Sequence, residues 1–287
     1  MFAGFNLNLD EQFFGSDFAQ YIRIGSNQIS QHQNTLCHQL DNFIVEGNFV
    51  NGTQLQDNWF PVFFTDIFIS HSHRDEKLAL ALAGWLFDTF GLTSFIDSAA
   101  WGYIDDLLEA LNSRYSNKRK DPDGGYLYSH NACNIVSQHV NIMLSAALQE
   151  MMDTTEAVFL LNTPNSLPGF TSHSIEGTYS PWIFSEISCS KLIRKRPLSD
   201  YRPSPIIEHV QKSEQFACDS LSVRYEVSTD HLYPLNKNDL ANWKTHIAKS
   251  SMPKSYLLEN QMQRLEFSKR SLDILYIQQN LLNKTSG

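Results

Sequence analysis

Short apolar runs alternate with longer amphipathic segments through the middle of the chain. The runs Asp66–Ser70, Thr93–Asp97 and Ala157–Leu161 are too short for helices and are typical of buried strands. Between them, leucines recur on one face of Glu76–Phe90, and apolar periodicity predicts a long helix over about Asn134–Met152. This alternation predicts an α/β fold with a central parallel sheet and helices on both faces.

Local signals mark where some of these helices begin and end. Asp75 occupies an N-cap position, and Gly91 is well placed to end the helix that starts at Glu76. Ser180-Pro181 has the chemistry of a helix start, which predicts a helix running to about Ile193.

The two ends of the chain have a different pattern. Ile29, Leu36 and Phe43 recur every seven residues, which predicts an amphipathic helix from about Ser26 to Ile44. We interpret it as packing on the main domain rather than as a self-association surface. The predicted organisation is an N-terminal helical segment (1–62), a main domain (63–235) and a C-terminal helical extension (236–287).

The amino-acid composition bears on the cellular location of the protein and on the partners that it can bind. The 287 residues include 31 acidic and 22 basic side chains, a formal charge of −9. That balance argues against nucleic acid and membrane as partners, which would require clustered lysine and arginine. The four cysteines are far apart, and neither a signal peptide nor a membrane-spanning run is recognisable. A reduced, cytoplasmic location is expected.

A candidate metal-binding motif directly follows the first predicted strand. His71-x-His73-x-Asp75 resembles the front half of the H-x-H-x-D-H signature of metallo-β-lactamase-type hydrolases, in which imidazoles and a carboxylate bind zinc. Glu76 stands where that signature requires a further histidine, and other histidines show no ligand spacing. A zinc metallohydrolase is therefore kept as an alternative, and no metal is expected.

A second candidate lies on the helix that opens at Ser180. Trp182 and Glu186 are four residues apart, so the indole and the carboxylate share one helical face near the helix start. The spacing alone is a weak pattern and favours a structural interpretation, with Trp182 in the core and Glu186 as a solvated helix residue. No G-x-G-x-x-G dinucleotide fingerprint is present.

Three blocks, in order, resemble Toll/interleukin-1 receptor (TIR) domains. Asp66–Ser72 is similar to the family's first-strand motif, and Gly91–Asp97 to its second strand and the start of the BB loop. Ala157–Asn162, followed by Ser180–Glu186, resembles the central strand and the helix that bears the catalytic glutamate. The likeness spans about residues 64–230 and is greatest to stand-alone bacterial NAD-consuming TIR proteins, including those of Thoeris-type antiviral systems.

The resemblance implies a flavodoxin-like TIR domain that releases nicotinamide from NAD⁺, with Glu186 catalytic. NAD⁺ would be the substrate rather than a cofactor, and the product would be ADP-ribose or a cyclic ADP-ribose isomer. A homo-oligomer formed through TIR contacts, and a separate effector protein activated by the product, are expected partners. The expected substrate-binding residues are Ser70, His71, Ser72, Asp97, Trp101 and Trp182.

Two features depart from the family pattern. The segments Ser116–Cys133 and Pro164–Tyr179 are longer than in compact TIR domains, and Trp101-Gly102-Tyr103 replaces the usual polar BB-loop sequence. A TIR scaffold that only binds other TIR domains is the non-catalytic alternative.

Overall fold

A computed structural model describes residues 1–33, 44–45, 49–96, 98–121, 125–168, 177–202, 225–249 and 261–282. The strands are β1 (Ala3–Asn8), β2 (Ile44–Val45), β3 (Phe49–Val50), β4 (Ile67–Ser70), β5 (Ser94–Ile96), β6 (Arg119–Lys120), β7 (Tyr126–Leu127), β8 (Ala157–Leu161), β9 (Gly177–Thr178), β10 (Tyr225–Glu226) and β11 (Tyr233–Asn236). The α-helices are α1 (Phe18–Gln33), α2 (Gly52–Trp59), α3 (Glu76–Phe90), α4 (Ser98–Tyr115), α5 (His130–Thr154), α6 (Pro181–Leu192), α7 (Lys237–Lys249) and α8 (Gln261–Gln278).

The described strands build a five-stranded sheet in the order β11-β1-β8-β4-β5, and every neighbouring pair is parallel. The predicted α/β class with a parallel sheet is therefore confirmed. The order β5-β4-β8 matches the second, first and third strands of a flavodoxin-type sheet, whose order is 2-1-3-4-5. The other half differs, because the strand beside β8 comes from the start of the chain.

The description of residues 1–62 as a helical segment is wrong for its first element. Ala3–Asn8 is a strand in the interior of the sheet, paired with β8 on one side and β11 on the other. The helix predicted over Ser26–Ile44 begins earlier, at Phe18, and Ile44 lies in a strand. Leu36 and Phe43 fall outside the described residues. The boundaries at 62 and 235 remain a prediction.

Each face of the sheet packs against its own set of helices. Alternate side chains such as Ile69 and Phe159 join a core cluster with residues of α3, α7 and α8. Their neighbours Phe68 and Val158 face the opposite way and join residues of α2, α4 and α5. Because successive strand residues point to opposite faces, strands that are apolar throughout are buried on both sides.

The last helix is fixed to the amino ends of the strands by a buried polar network. The Glu156 carboxylate accepts hydrogen bonds from the Tyr276 hydroxyl at 3.0 Å and from Lys269 at 3.0 Å, and Lys269 also donates to Asp66 at 2.8 Å. Burial, followed by the Glu156 charge, raises the pKa of Tyr276 well above its usual value, which keeps the hydroxyl protonated. The predicted C-terminal helix is therefore part of the core.

Among the described residues, no helix combines the length and the apolar character needed to cross a membrane.

Candidate functional site

A buried hydrogen bond joins the segment Asp66–Ser72 to the helix that begins after Ser180. Ser70, the last residue of β4, donates its hydroxyl proton to the Glu186 Oε2 atom at 2.6 Å. Ser70 is 1% exposed and Glu186 is 3% exposed. The serine therefore orients a buried carboxylate at the carboxyl end of a central strand, which is where open α/β sheets bind their ligands.

Local chemistry and packing place Glu186 there. Ser180 accepts a hydrogen bond from the Ile183 amide and Pro181 occupies the first turn, so α6 begins as the sequence predicts. Ile183 and Ile187 then pack against Leu160 of the sheet in a separate small core cluster. Since these two residues flank Glu186 on the helix, their burial turns the carboxylate towards the end of β4.

The turns that follow β4 and β8 are joined by Asp75. Its two carboxylate oxygens accept hydrogen bonds from the Thr163 hydroxyl at 2.5 Å and from the Asn165 amide at 2.7 Å. Ser166, in the same turn, donates to the Leu161 carbonyl at 2.6 Å. The adjacent Leu167 belongs to the cluster that supports α6. Asp75 thus links the strand that carries Ser70 to the loop that supports the helix of Glu186.

This linkage gives a stability prediction. Asp75→Ala removes the acceptor of two hydrogen bonds and leaves the buried Thr163 hydroxyl without it, so we expect a loss of about 1–3 kcal/mol in the free energy of unfolding. Urea unfolding measures this change. Asp105→Ala, at an exposed position on α4, is the matched control and is expected to change stability by less than about 0.5 kcal/mol. Equal stability of the two variants would contradict the linkage.

The neighbouring thiol is not suited to nucleophilic chemistry. Burial, followed by the charge of Glu186, raises the pKa of Cys189 to about 11. The thiolate is the reactive form, so Cys189 remains protonated at neutral pH. Of the polar groups on this part of α6, the carboxylate is the one suited to charge stabilisation.

The two histidines of the candidate metal motif lie in different environments. His71 is 2% exposed, whereas His73 is exposed to solvent. The Asp75 oxygens are engaged by Thr163 and Asn165. Within the described parts of the chain, no group of three histidine, cysteine, aspartate or glutamate side chains could hold a metal ion. This arrangement does not support the metallohydrolase alternative.

The remaining sequence-predicted residues have different outcomes. The Ser72 carbonyl accepts a hydrogen bond from the Asp75 amide at 2.7 Å. Trp182 is half-buried and packs against the α4–α5 side of the core, one turn before Glu186. Asp97 lies outside the described residues. Trp101 lies within α4, and its side chain is outside the described part.

Thr163, Asn165 and Ser166 were missed by the sequence analysis. They follow a continuously apolar strand within Asn162-Thr163-Pro164-Asn165-Ser166, a run of turn-forming polar residues. Polar residues directly after a buried strand are a recognisable signal, because the carboxyl ends of parallel strands share one edge. What the sequence could not supply was the partner of Thr163 and Asn165, which is Asp75, 88 residues away from Thr163.

Comparison of the chain with models of protein families gives no match, and comparisons with curated proteins and with solved structures give none either. The class defined by the fold is an α/β protein with a parallel sheet and a buried serine–glutamate pair at its carboxyl edge.

Proposed function

We propose that this protein is a TIR-type enzyme that cleaves the N-glycosidic bond between nicotinamide and ribose in NAD⁺, with Glu186 as the catalytic residue. The observation that carries the proposal is the buried hydrogen bond between Ser70 and Glu186. This hydrogen bond joins Asp66–Ser72 to Ser180–Glu186, and each of these segments resembles a TIR motif.

The strand arrangement also supports the proposal. The TIR likeness concerns the first strand, the second strand and the central strand, and these correspond to β4, β5 and β8, which are neighbours in the sheet. Glu186 lies on the helix that follows β8, as the motif requires. The strands of the other half of the sheet come from the two ends of the chain, so the proposed likeness covers the part that bears the site.

One carboxylate is sufficient for this chemistry. The nicotinamide ring of NAD⁺ is cationic and leaves as a neutral molecule, so its departure needs no general acid, unlike that of an ordinary glycoside. Positive charge develops on the ribose as the bond breaks. A fixed carboxylate near the ribose stabilises that charge, most strongly where water is excluded. The burial of Glu186 and its hydrogen bond from Ser70 suit this role.

The reaction has two outcomes, depending on the nucleophile. If water attacks the anomeric carbon, the products are ADP-ribose, nicotinamide and a proton. If a hydroxyl oxygen or a ring nitrogen of the same nucleotide attacks the anomeric carbon, nicotinamide and a proton are released and a cyclic ADP-ribose isomer forms. In the cellular role that we propose, this product activates a separate effector protein in an antiviral response, and contacts between copies of the chain control the activity.

Chromatography of the nucleotides after incubation with NAD⁺ tests the reaction class. We expect nicotinamide to appear together with an equal amount of ADP-ribose or a cyclic isomer, since each bond cleaved releases one of each. The two nucleotides separate by retention and by mass, because hydrolysis adds one water. Intact NAD⁺ over a wide range of protein concentrations, including those at which the chain self-associates, would contradict the proposal.

A TIR-type scaffold without catalysis is the second candidate. The specific observation in its favour is the same hydrogen bond, because a carboxylate that holds α6 against β4 has a structural use whether or not it meets a substrate. In that case purified protein would leave NAD⁺ intact, and replacing Glu186 would change stability and partner binding only.

A further inference from the structure

The segment between α4 and α5 forms a small hairpin with an unusual surface. In β6 and β7, Arg119 pairs with Leu127 and Lys120 pairs with Tyr126 in antiparallel register. Paired residues share a face, and residues two apart along a strand share a face. Lys118, Lys120, Tyr126 and Tyr128 therefore lie on one side of the hairpin, and we call this set the hairpin face.

The hairpin face is exposed and ordered by its own contacts. Tyr126 is 59% exposed and Tyr128 is 36% exposed. The Lys118 ammonium lies 4.1 Å from the Tyr126 ring centroid and 5.8 Å from that of Tyr128. The Tyr128 hydroxyl lies within hydrogen-bonding distance, 3.3 Å, of the Ser113 hydroxyl. The rings are thus held in place before any partner binds, which lowers the entropy lost on binding.

The hairpin face carries two exposed lysine side chains, Lys118 and Lys120. Among the described residues, neither Lys118 nor Lys120 forms an ion pair with a carboxylate. This local pair of cations stands out in a chain with a formal charge of −9. Two exposed tyrosine rings beside two exposed ammonium groups offer both stacking surfaces and contacts for phosphate.

We propose that the hairpin face binds a single strand of nucleic acid. Bases stack on Tyr126 and Tyr128, and the phosphates between them contact Lys118 and Lys120. An acidic peptide is a poorer fit, because its carboxylates make no use of the flat rings and the arginine suited to bidentate contact, Arg119, lies on the opposite side. Paired bases in a duplex present no free face to the rings. The proposal does not depend on NAD⁺ cleavage.

The net charge of the chain and the local charge of the hairpin face lead to different expectations about nucleic-acid binding. The net charge of the chain argues against a general affinity for nucleic acid, and it repels a polyanion at long range. A small face that contacts about two phosphates, assisted by stacking, binds weakly and depends moderately on salt. For a single strand, the slope of log K against log salt concentration is then about −1.4.

Fluorescence anisotropy with labelled oligo(dT) and oligo(U) tests the proposal. We expect both probes to bind at low ionic strength, with weaker binding as salt rises. Tyr126→Leu keeps an apolar side chain without the ring and is expected to weaken binding at least about fivefold, whereas Tyr126→Phe keeps the ring and the affinity. Lys118→Gln combined with Lys120→Gln is expected to bring the salt slope close to zero.

Matched controls separate the hairpin face from charge in general. Lys244→Gln combined with Lys249→Gln removes the same charge from exposed positions on α7 and is expected to leave binding unchanged. Circular dichroism establishes that each variant is folded. The proposal is overturned if neither probe binds, or if Tyr126→Leu binds as well as Tyr126→Phe. It is also overturned if a poly-glutamate peptide displaces oligo(U) as efficiently as unlabelled oligo(U), since that assigns the surface to an acidic protein.

Discussion

Replacing Glu186 by glutamine is expected to reduce the rate of nicotinamide release from NAD⁺ by about 10²–10³-fold. In the proposed reaction, the substitution removes the negative charge that would stabilise the ribose cation, and it preserves the shape of the side chain. The glutamine carbonyl oxygen can still accept the hydrogen bond that Ser70 donates at 2.6 Å. The loss therefore falls on the transition state, and we expect kcat to decrease while KM for NAD⁺ changes little.

Two measurements make this result specific. Glu109→Gln makes the same chemical change at an exposed position on α4 and is expected to retain full activity. Thermal unfolding of Glu186→Gln is expected near the wild-type temperature, which excludes loss of fold as the cause. Equal nicotinamide release by Glu186→Gln and the wild type would reject the catalytic role. A large loss of stability without any wild-type activity would favour the scaffold.

The second large effect concerns the contact between α1 and α3. A Cβ atom added to Gly84 would lie 1.9 Å from the Tyr21 carbonyl oxygen, and one added to Gly25 would lie 2.1 Å from the Leu80 carbonyl oxygen. These neighbours are backbone atoms, so the helices themselves must separate to admit a methyl group. Alanine would favour the helix by about 1 kcal/mol, but the clash costs more.

Gly84→Ala is therefore expected to destabilise the protein by a net amount of about 2 kcal/mol, which lowers the unfolding temperature by about 3 °C. Differential scanning calorimetry measures the shift. Gly125→Ala is the control, because its added Cβ would come no closer than 3.9 Å to another of the described residues. If Gly84→Ala matched Gly125→Ala in unfolding temperature, the close approach of α1 and α3 would be refuted.

Such a dependence on α1 would follow from its position in the fold. The sequence pattern treated the first 62 residues as a helical appendage, yet β1 lies in the interior of the sheet and α1 packs against α3. A strand in the interior of a parallel sheet that is covered by helices on both faces is usually apolar throughout. In Ala3–Asn8, however, Gly4 and the two asparagines interrupt the apolar run, so its composition does not indicate an interior strand.

Local chemistry by itself determined several elements of this protein. Glu76–Phe90 ends where predicted, because Gly91 adopts the left-handed conformation that closes the helix. Its first residue is also the predicted one, but the Asp75 side chain makes no capping hydrogen bond. Ala157–Leu161 is a strand buried on both faces, as a continuous apolar run requires. The start of α6 at Pro181 follows from Ser180 in the same way. Each of these depends on residues within a few positions of one another.

Only the tertiary structure decided which strand stands beside β8 and which side chains meet at the carboxyl edge. The partners Ser70 and Glu186 are 116 residues apart, and β1 and β11 are separated by most of the chain. Hydrophobic periodicity records whether a side chain is buried, because burial depends on spacing along one element. It does not determine which other element packs against that side chain, because an apolar face can be buried against any other apolar face. Specific hydrogen bonds, such as those of Glu186 and Asp75, resolve that choice.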